Sequence, residues 1–192
     1  MSRNITFTPD DFPCSEAVKE VLRETNRKQR FLSVLTSTIS VLIVVAAASI
    51  LLATLYFPVF RIYGSSMAPT LNEGDYILAV KTDHFDQGDL IAFYYNNKLL
   101  VKRVIANSGD WVDIDKDGNV YVNDNLLEEP YLTEKSQGNY NISFPYQVPE
   151  GRVFVMGDHR SVSFDSRMEE IGCISHEQIA GKLKMVIWPV RF

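Results

Sequence analysis

The sequence predicts a mostly β domain carried behind one membrane-spanning helix. Three observations point there. No charged residue occurs between Arg30 and Arg61, and the stretch from Ile39 to Phe57 is almost wholly apolar. Beyond Phe57, apolar residues recur in short blocks separated by turn residues, not at helical spacing. The composition, 46% apolar and 22% charged over 192 residues, is that of a globular chain, not a disordered, collagenous or disulfide-dense one.

The helix comes first. A bilayer-spanning helix needs about 20 mostly apolar residues, and the uncharged stretch meets that, with Leu32, Val34 and Leu35 extending it upstream. Pro58 ends it. A cleaved secretory signal is a poor match: the run starts late, exceeds the roughly 7–15 residues of such a segment, and has no small-residue cleavage site after Phe57. The expected organisation is an arm over residues 1–30, a transmembrane helix over 31–58 and a β domain over 59–192. Lys19, Arg23, Arg27, Lys28 and Arg30 precede the span and Arg61 alone follows it closely, so the positive-inside rule places the arm in the cytoplasm and residues 59–192 outside. Cys14 and Cys173 then lie on opposite sides and cannot pair. Cys173 reads as a small buried apolar residue.

In the β domain the patterning predicts strands at Phe60–Tyr63, Tyr76–Val80, Leu90–Tyr95, Leu99–Ala106, Trp111–Ile114, Val120–Val122, Arg152–Met156 and Leu183–Trp188. Asn96-Asn97 is a hairpin turn between two of them. Residues 124–149, with Pro130, Gly138, Pro145 and Pro149, read as an excursion of loops. A short helix is expected near Ser175–Ala180. Asp113 to Gly118 matches the opening of an EF-hand loop, but Asp124 stands where the bidentate Glu belongs and the flanks read as strands; the plain hairpin with a turn at Asp117-Gly118 is favoured. Asn4-Ile-Thr6 and Asn141-Ile-Ser143 match a glycosylation acceptor pattern.

Several function classes fall away. A net charge of -5 is a poor basis for binding nucleic acid. Two cysteines and three histidines, His84, His159 and His176, show no metal-ligand spacing, so no metal is expected. What remains is three polar, turn-rich segments among strands: Gly64 to Leu71, Leu100 to Val104, and Met156 to Arg167. A serine and a lysine can form a nucleophile–base pair if the lysine is neutral. Burial among apolar groups favours that state, because desolvation penalises the ammonium. Lys102, between Leu100-Val101 and Val104-Ile105, is a candidate. Fifteen serines and nine lysines make such a pairing unspecific by itself. Locally, Lys102 also reads as a strand lysine with its tip in solvent, and Ser66 as a turn serine.

Taken in order behind one anchor, these segments resemble type I signal peptidases, membrane-bound serine proteases that remove signal peptides from exported proteins. Ser66-Met-Ala-Pro-Thr-Leu71 is similar to the family's nucleophile segment. Lys102-Arg103-Val104, followed by Gly109-Asp110, is similar to the segment with the general-base lysine. Gly157-Asp158-His159-Arg160 with Ser163, Asp165, Ser166 and Arg167 resembles the third box, and Gly88 to Phe93 a further family strand. The single anchor and compact size look like Gram-positive members.

The resemblance implies a mostly antiparallel β fold with a loop-rich insertion over residues 107–150. It makes Ser66 the nucleophile and Lys102 its base, with Ser163 orienting the lysine amine. Asp165 and Arg167 match a structural ion pair, and Gly157 belongs to the same box. The Ser66 N–H would serve the oxyanion hole, where Gly64 replaces a serine that some members have. Ile62, Met67, Leu71, Leu100 and Val101 match residues of the substrate pockets, which would select an A-x-A pattern. His159 replaces the usual Asn; a triad through it is rejected, since the dyad already supplies a base. The implied partners are preprotein signal peptides and the lipid bilayer, with no cofactor. The alternatives are a dedicated or non-catalytic relative in surface-protein or pilus assembly, a self-cleaving repressor, and a plain binding module on a stalk.

Overall fold

The computed structural model describes residues 15–189; Cys14, Asn4 and most of the expected cytoplasmic arm's first half lie outside them. Helix α1 runs from Ser15 to Tyr56. At 1.5 Å per residue it is about 63 Å long, roughly twice the thickness of a bilayer core. The helix therefore starts well inside the segment expected as an arm. It stops two residues short of Pro58, whose ring disfavours helical backbone at the residue before it. Its apolar side chains are exposed on every side, Leu42, Ile43, Val44 and Leu51 among them, as suits a helix solvated by lipid. Three hydroxyls within the uncharged stretch are satisfied internally: Thr36 donates to the Ser33 carbonyl, Thr38 to Val34 and Ser40 to Thr36. The chain divides into two units, one ending at Leu52 and the other beginning at Ala53.

The second unit holds eleven strands among the described residues, every pair antiparallel. They are β1 (Val59–Arg61), β2 (Tyr76–Val80), β3 (Leu90–Tyr95), β4 (Lys98–Ala106), β5 (Trp111–Ile114), β6 (Val120–Val122), β7 (Asn125–Leu126), β8 (Tyr146–Gln147), β9 (Arg152–Met156), β10 (Ile174–Ser175) and β11 (Ile179–Trp188). Seven form a sheet in the order β1-β2-β11-β3-β4-β9-β10, and four a smaller one, β7-β6-β5-β8.

Strand β4 carries the fold's centre. It is buried from Val101 to Ala106 without alternation, since both its faces are covered. It pairs with β3, Ile91 opposite Lys102 and Leu90 opposite Arg103, and with β9, Arg103 opposite Met156. Asn96 and Asn97 close the β3–β4 hairpin with positive φ at both positions, which a two-residue type I′ turn requires. One apolar cluster packs Ile91, Phe93, Val104, Val155 and Ile174. A second joins Ile105, Phe154 and Met156 of the large sheet to Val112, Ile114 and Val120 of the small one. The small sheet thus shares a core with the large one.

Several expectations change. Strand β1 is shifted to Val59–Arg61, and β11 begins at Ile179, not Leu183. The short helix near Ser175 is a single 3-10 turn, His176–Gln178, because β11 claims Ile179 and Ala180. The expected loop excursion contains β7 and β8, each of two residues, too short for an alternating pattern to register. The EF-hand-like segment is a hairpin: Asp115 Oδ1 accepts from the Asp117 and Asn119 N–H groups, and its Oδ2 from Asn119 Nδ2. Asp115 therefore spends its carboxylate on its own turn.

Candidate active site

Ser66 lies in the turn-rich segment between β1 and β2, held by backbone bonds from Ala68 N–H to the Ser65 carbonyl and from Leu71 N–H to the Met67 carbonyl. Met67 and Leu71 anchor the segment in a third apolar cluster with Ile62, Ile77, Ala92 and Val101. Lys102 reaches it from β4, and its Nζ lies 2.5 Å from Ser66 Oγ. Lys102 is 3% exposed; the solvent-tipped alternative does not hold. Burial lowers its pKa from 10.5 to about 8. Asp165 and Asp158 oppose that and Arg167 reinforces it, all more weakly than desolvation.

The third box closes the site from the other side. His159 N–H donates to the Ser66 carbonyl at 3.1 Å. His159 thus meets Ser66 through its main chain; its buried Nδ1 has no hydrogen-bond partner among the described residues. Gly157 sits so close that a Cβ there would lie 2.5 Å from the Ser66 carbonyl oxygen and overlap Ser163 Oγ. Its N–H donates to Asp165 Oδ2. Asp165 also accepts from Arg167 Nε and Nη2, each at 2.8 Å, and both side chains are fully buried. Ser163 is 5% exposed and its Oγ has no hydrogen-bond partner among the described residues. The Ser163–lysine bond that the resemblance implies is therefore not formed, and the Lys102 amine points to Ser66 instead.

A small pocket of about 40 Å³ opens beside the pair, lined by Ile62, Gly64, Ser66, Met67, Leu100, Val101 and Lys102 among others. Four of the five expected pocket residues line it, together with Ser66 and Gly64 of the expected oxyanion hole. Leu71 does not: at 2% exposed it belongs to the core beneath. Gly64 has a φ of +83° and open space where a side chain would project.

Sequence reasoning missed a second layer. Arg103 donates to Asp158 through Nε (2.8 Å) and Nη2 (2.5 Å), and to the Gly88 carbonyl through Nη1. Thr70 donates to the same Asp158 carboxylate. Arg160 pairs with Glu129 with both side chains wholly buried, and the Tyr131 ring covers the Arg103 guanidinium at 3.8 Å. Thr70, Arg103, Asp158 and Arg160 lie inside the motif segments, which was the only signal available. Glu129 and Tyr131 lie in the excursion and gave none.

A family model described as signal peptidase, peptidase S26, matches residues 35–188. Signal peptidase I of Bacillus licheniformis is 32% identical over 183 residues, covering 87% of this chain and 94% of its own. Signal peptidase I U of Bacillus subtilis (strain 168) is 38% identical over 160 residues, covering 77% and 84%. A solved signal peptidase I from Enterococcus faecalis V583 aligns at 31% identity over 53% of this chain and 97% of its own, with a TM-score of 0.44.

Proposed function

The chain belongs to the signal peptidase family, peptidase S26, and is a peptidase of that family; we propose that it removes signal peptides from exported preproteins after an A-x-A-type site, with Ser66 as nucleophile and Lys102 as base. The observation that carries the reading is the 2.5 Å approach of a buried lysine amine to a serine hydroxyl. As an ammonium, Nζ donates to Ser66 Oγ. Once neutral, the direction reverses: the hydroxyl donates to the nitrogen lone pair, and the oxygen can attack a carbonyl as its proton moves to Lys102. The attack forms a tetrahedral oxyanion beside the Ser66 N–H. Collapse expels the new amino terminus of the mature protein, which takes the proton back from Lys102, and leaves an acyl-enzyme on Ser66. Water, deprotonated by the same lysine, then releases the signal peptide.

The pocket supports the specificity. At about 40 Å³ it is small, as a site that selects small side chains requires. An extended substrate can lie along strand edges beside the site, with alternate side chains entering pockets. The apolar stretch of α1 fits a membrane anchor, and the basic flank before it supports residues 1–30 in the cytoplasm and 59–192 outside. Such an anchor keeps the site near the bilayer, where a signal peptide's apolar segment resides.

Cleavage of a preprotein in detergent or lipid tests the reading, comparing wild type with Ser66→Ala and Lys102→Ala. Wild type is expected to cut after A-x-A, with both folded variants inert. A folded Lys102→Ala enzyme that retains the wild-type rate would refute the dyad.

A further inference from the structure

Between β7 and β8 the segment Glu129–Gly138 forms no strand, yet it reaches each of the three buried arginines behind the site. Arg160 is 0% exposed. Its Nη1 donates to Glu129 Oε2 at 3.1 Å and its Nη2 to Oε1, a bidentate pair whose planar fork fixes both partners. Tyr131 OH donates to the same Oε1 at 2.7 Å while its ring lies on Arg103, the residue after Lys102 on β4. Arg167 Nη1 donates to the Gln137 carbonyl at 2.6 Å. The segment turns away at Gly138, where a Cβ would lie 2.5 Å from both the Arg160 carbonyl oxygen and Arg167 Nη1.

We propose that Glu129 and Tyr131 are positioning residues, which hold the third box and β4 in the register that brings Ser66 and Lys102 together. The inference rests on the dyad reading above. Its route is short. Arg160 Nε donates to the Gly157 carbonyl at 3.2 Å, and Gly157 lies so near the Ser66 carbonyl and Ser163 that a Cβ on it would strike both. Without the Glu129 carboxylate, a fully buried guanidinium is left uncompensated. It must draw in water or swing out, and either releases Gly157 and with it the His159–Ser66 main-chain bond. On the β4 side, the Tyr131 ring covers one face of Arg103, so its loss loosens the arginine that ties β4 to Asp158 of the third box.

Neither residue lines the substrate pocket. The signature of positioning is thus a fall in kcat with KM held, and a Lys102 titration displaced upward as its amine becomes hydrated; Asp158, Asp165 and Arg167 are the charged groups that act on it. A role confined to stability would lower the melting temperature and leave the titration of the folded molecules in place.

The test uses the full chain in detergent, with Glu129→Gln, Glu129→Asp and Tyr131→Phe beside wild type and Ser66→Ala. Two quantities are read: preprotein cleavage, and the Lys102 midpoint by NMR of isotope-labelled lysine, which needs no substrate. Glu129→Gln is expected to lose about tenfold or more in kcat with KM within about twofold, and to raise the Lys102 midpoint. Glu129→Asp, which keeps the charge, is expected to regain part of both; Tyr131→Phe, which keeps the ring and loses the bond to Glu129, to fall between. Folded Glu129→Gln and Tyr131→Phe with wild-type kcat and midpoint would overturn the proposal, as would a change in KM alone. If Glu129→Gln does not fold, Glu129→Asp and Tyr131→Phe decide the matter by the same two readouts. If wild type itself cuts no preprotein, the dyad reading fails, and the titration still decides whether the segment positions Lys102.

Discussion

Under the proposed dyad, Lys102 sets the pH dependence of the reaction. Lowering its pKa from 10.5 to about 8 changes how much of the reactive form exists at neutral pH. At about pH 7, roughly one amine in ten is then neutral, against about one in three thousand for a lysine in water. Burial therefore raises the neutral population roughly 300-fold, equivalent to about 3 kcal/mol. That free energy is withheld from stability. The folded value lies below the unfolded one, so between about 8 and 10.5 the folded state binds fewer protons than the unfolded chain. Stability from this group rises with pH through that window, and the penalty is complete below it. The assay is kcat/KM for a preprotein from about pH 6 to 10, in detergent and at fixed ionic strength. It is expected to climb about tenfold from pH 7 to a plateau, with its midpoint near 8. A flat profile, or a midpoint near 10.5, would refute the assignment of a desolvated lysine as the base.

Other consequences are separable. Lys102→Met is expected to stabilise the folded domain at pH 7 by up to about 3 kcal/mol, with the gain fading toward pH 10.5, as denaturant titration at the two pH values would reveal. Asp165→Asn strands the buried Arg167 and is expected to cost about 3–5 kcal/mol in the same measurement; a loss under about 1 kcal/mol would contradict it. Gly157→Ala places a methyl group against the Ser66 carbonyl, so activity is expected to drop about a hundredfold or more while the circular dichroism spectrum is retained. Cys173 is 4% exposed with its thiol pushed up to about 11 by burial; it is expected to resist iodoacetamide near pH 8 until denaturant is added, and ready labelling of the native protein at Cys173 would count against the burial.

Much of this was legible before the structure. Strands β2, β3, β5, β6 and β9 stand where the apolar blocks put them, and the Asn96-Asn97 turn adopts the positive φ that such a pair tolerates. The proximity of Ser66 and Lys102 was available only through the motif order. Thirty-six positions separate them, and local sequence favoured a turn serine and a snorkelling lysine. What brings them together is the pairing of β4 with β9, which sets the third box behind the Ser66 turn. Glu129 and Tyr131 were invisible for a different reason. A carboxylate in a proline-rich stretch reads as solvated surface, and nothing local reveals that a buried arginine 31 residues away will claim it. Strands β7, β8 and β10, of two residues each, lie below the length at which alternation can be recognised.

The surrounding ion pairs explain why desolvation prevails at Lys102. Two carboxylates, Asp158 and Asp165, act on the amine and raise its pKa. Neither stands alone: Asp158 is held by Arg103 and Thr70, and Asp165 by Arg167 and the Gly157 N–H. Each carboxylate presents the lysine with a nearly neutral pair, whose field falls off faster than that of a lone charge, and Arg167 adds its own push toward neutrality. Buried pairs of this kind are seldom more stabilising than apolar residues of the same size. Their value here is geometric and electrostatic together: the arginines hold the carbonyls of Gly88, Gly157 and Gln137 in place, and they weaken the anions that would otherwise raise the Lys102 pKa further. Removing Arg167 alone should then do two things at once. It frees Asp165 to act as a counter-ion, so the Lys102 midpoint should move up from about 8, and it leaves that carboxylate buried with one partner fewer. A folded Arg167→Met enzyme whose pH profile stays in place would show that the pairs hold the fold without tuning Lys102.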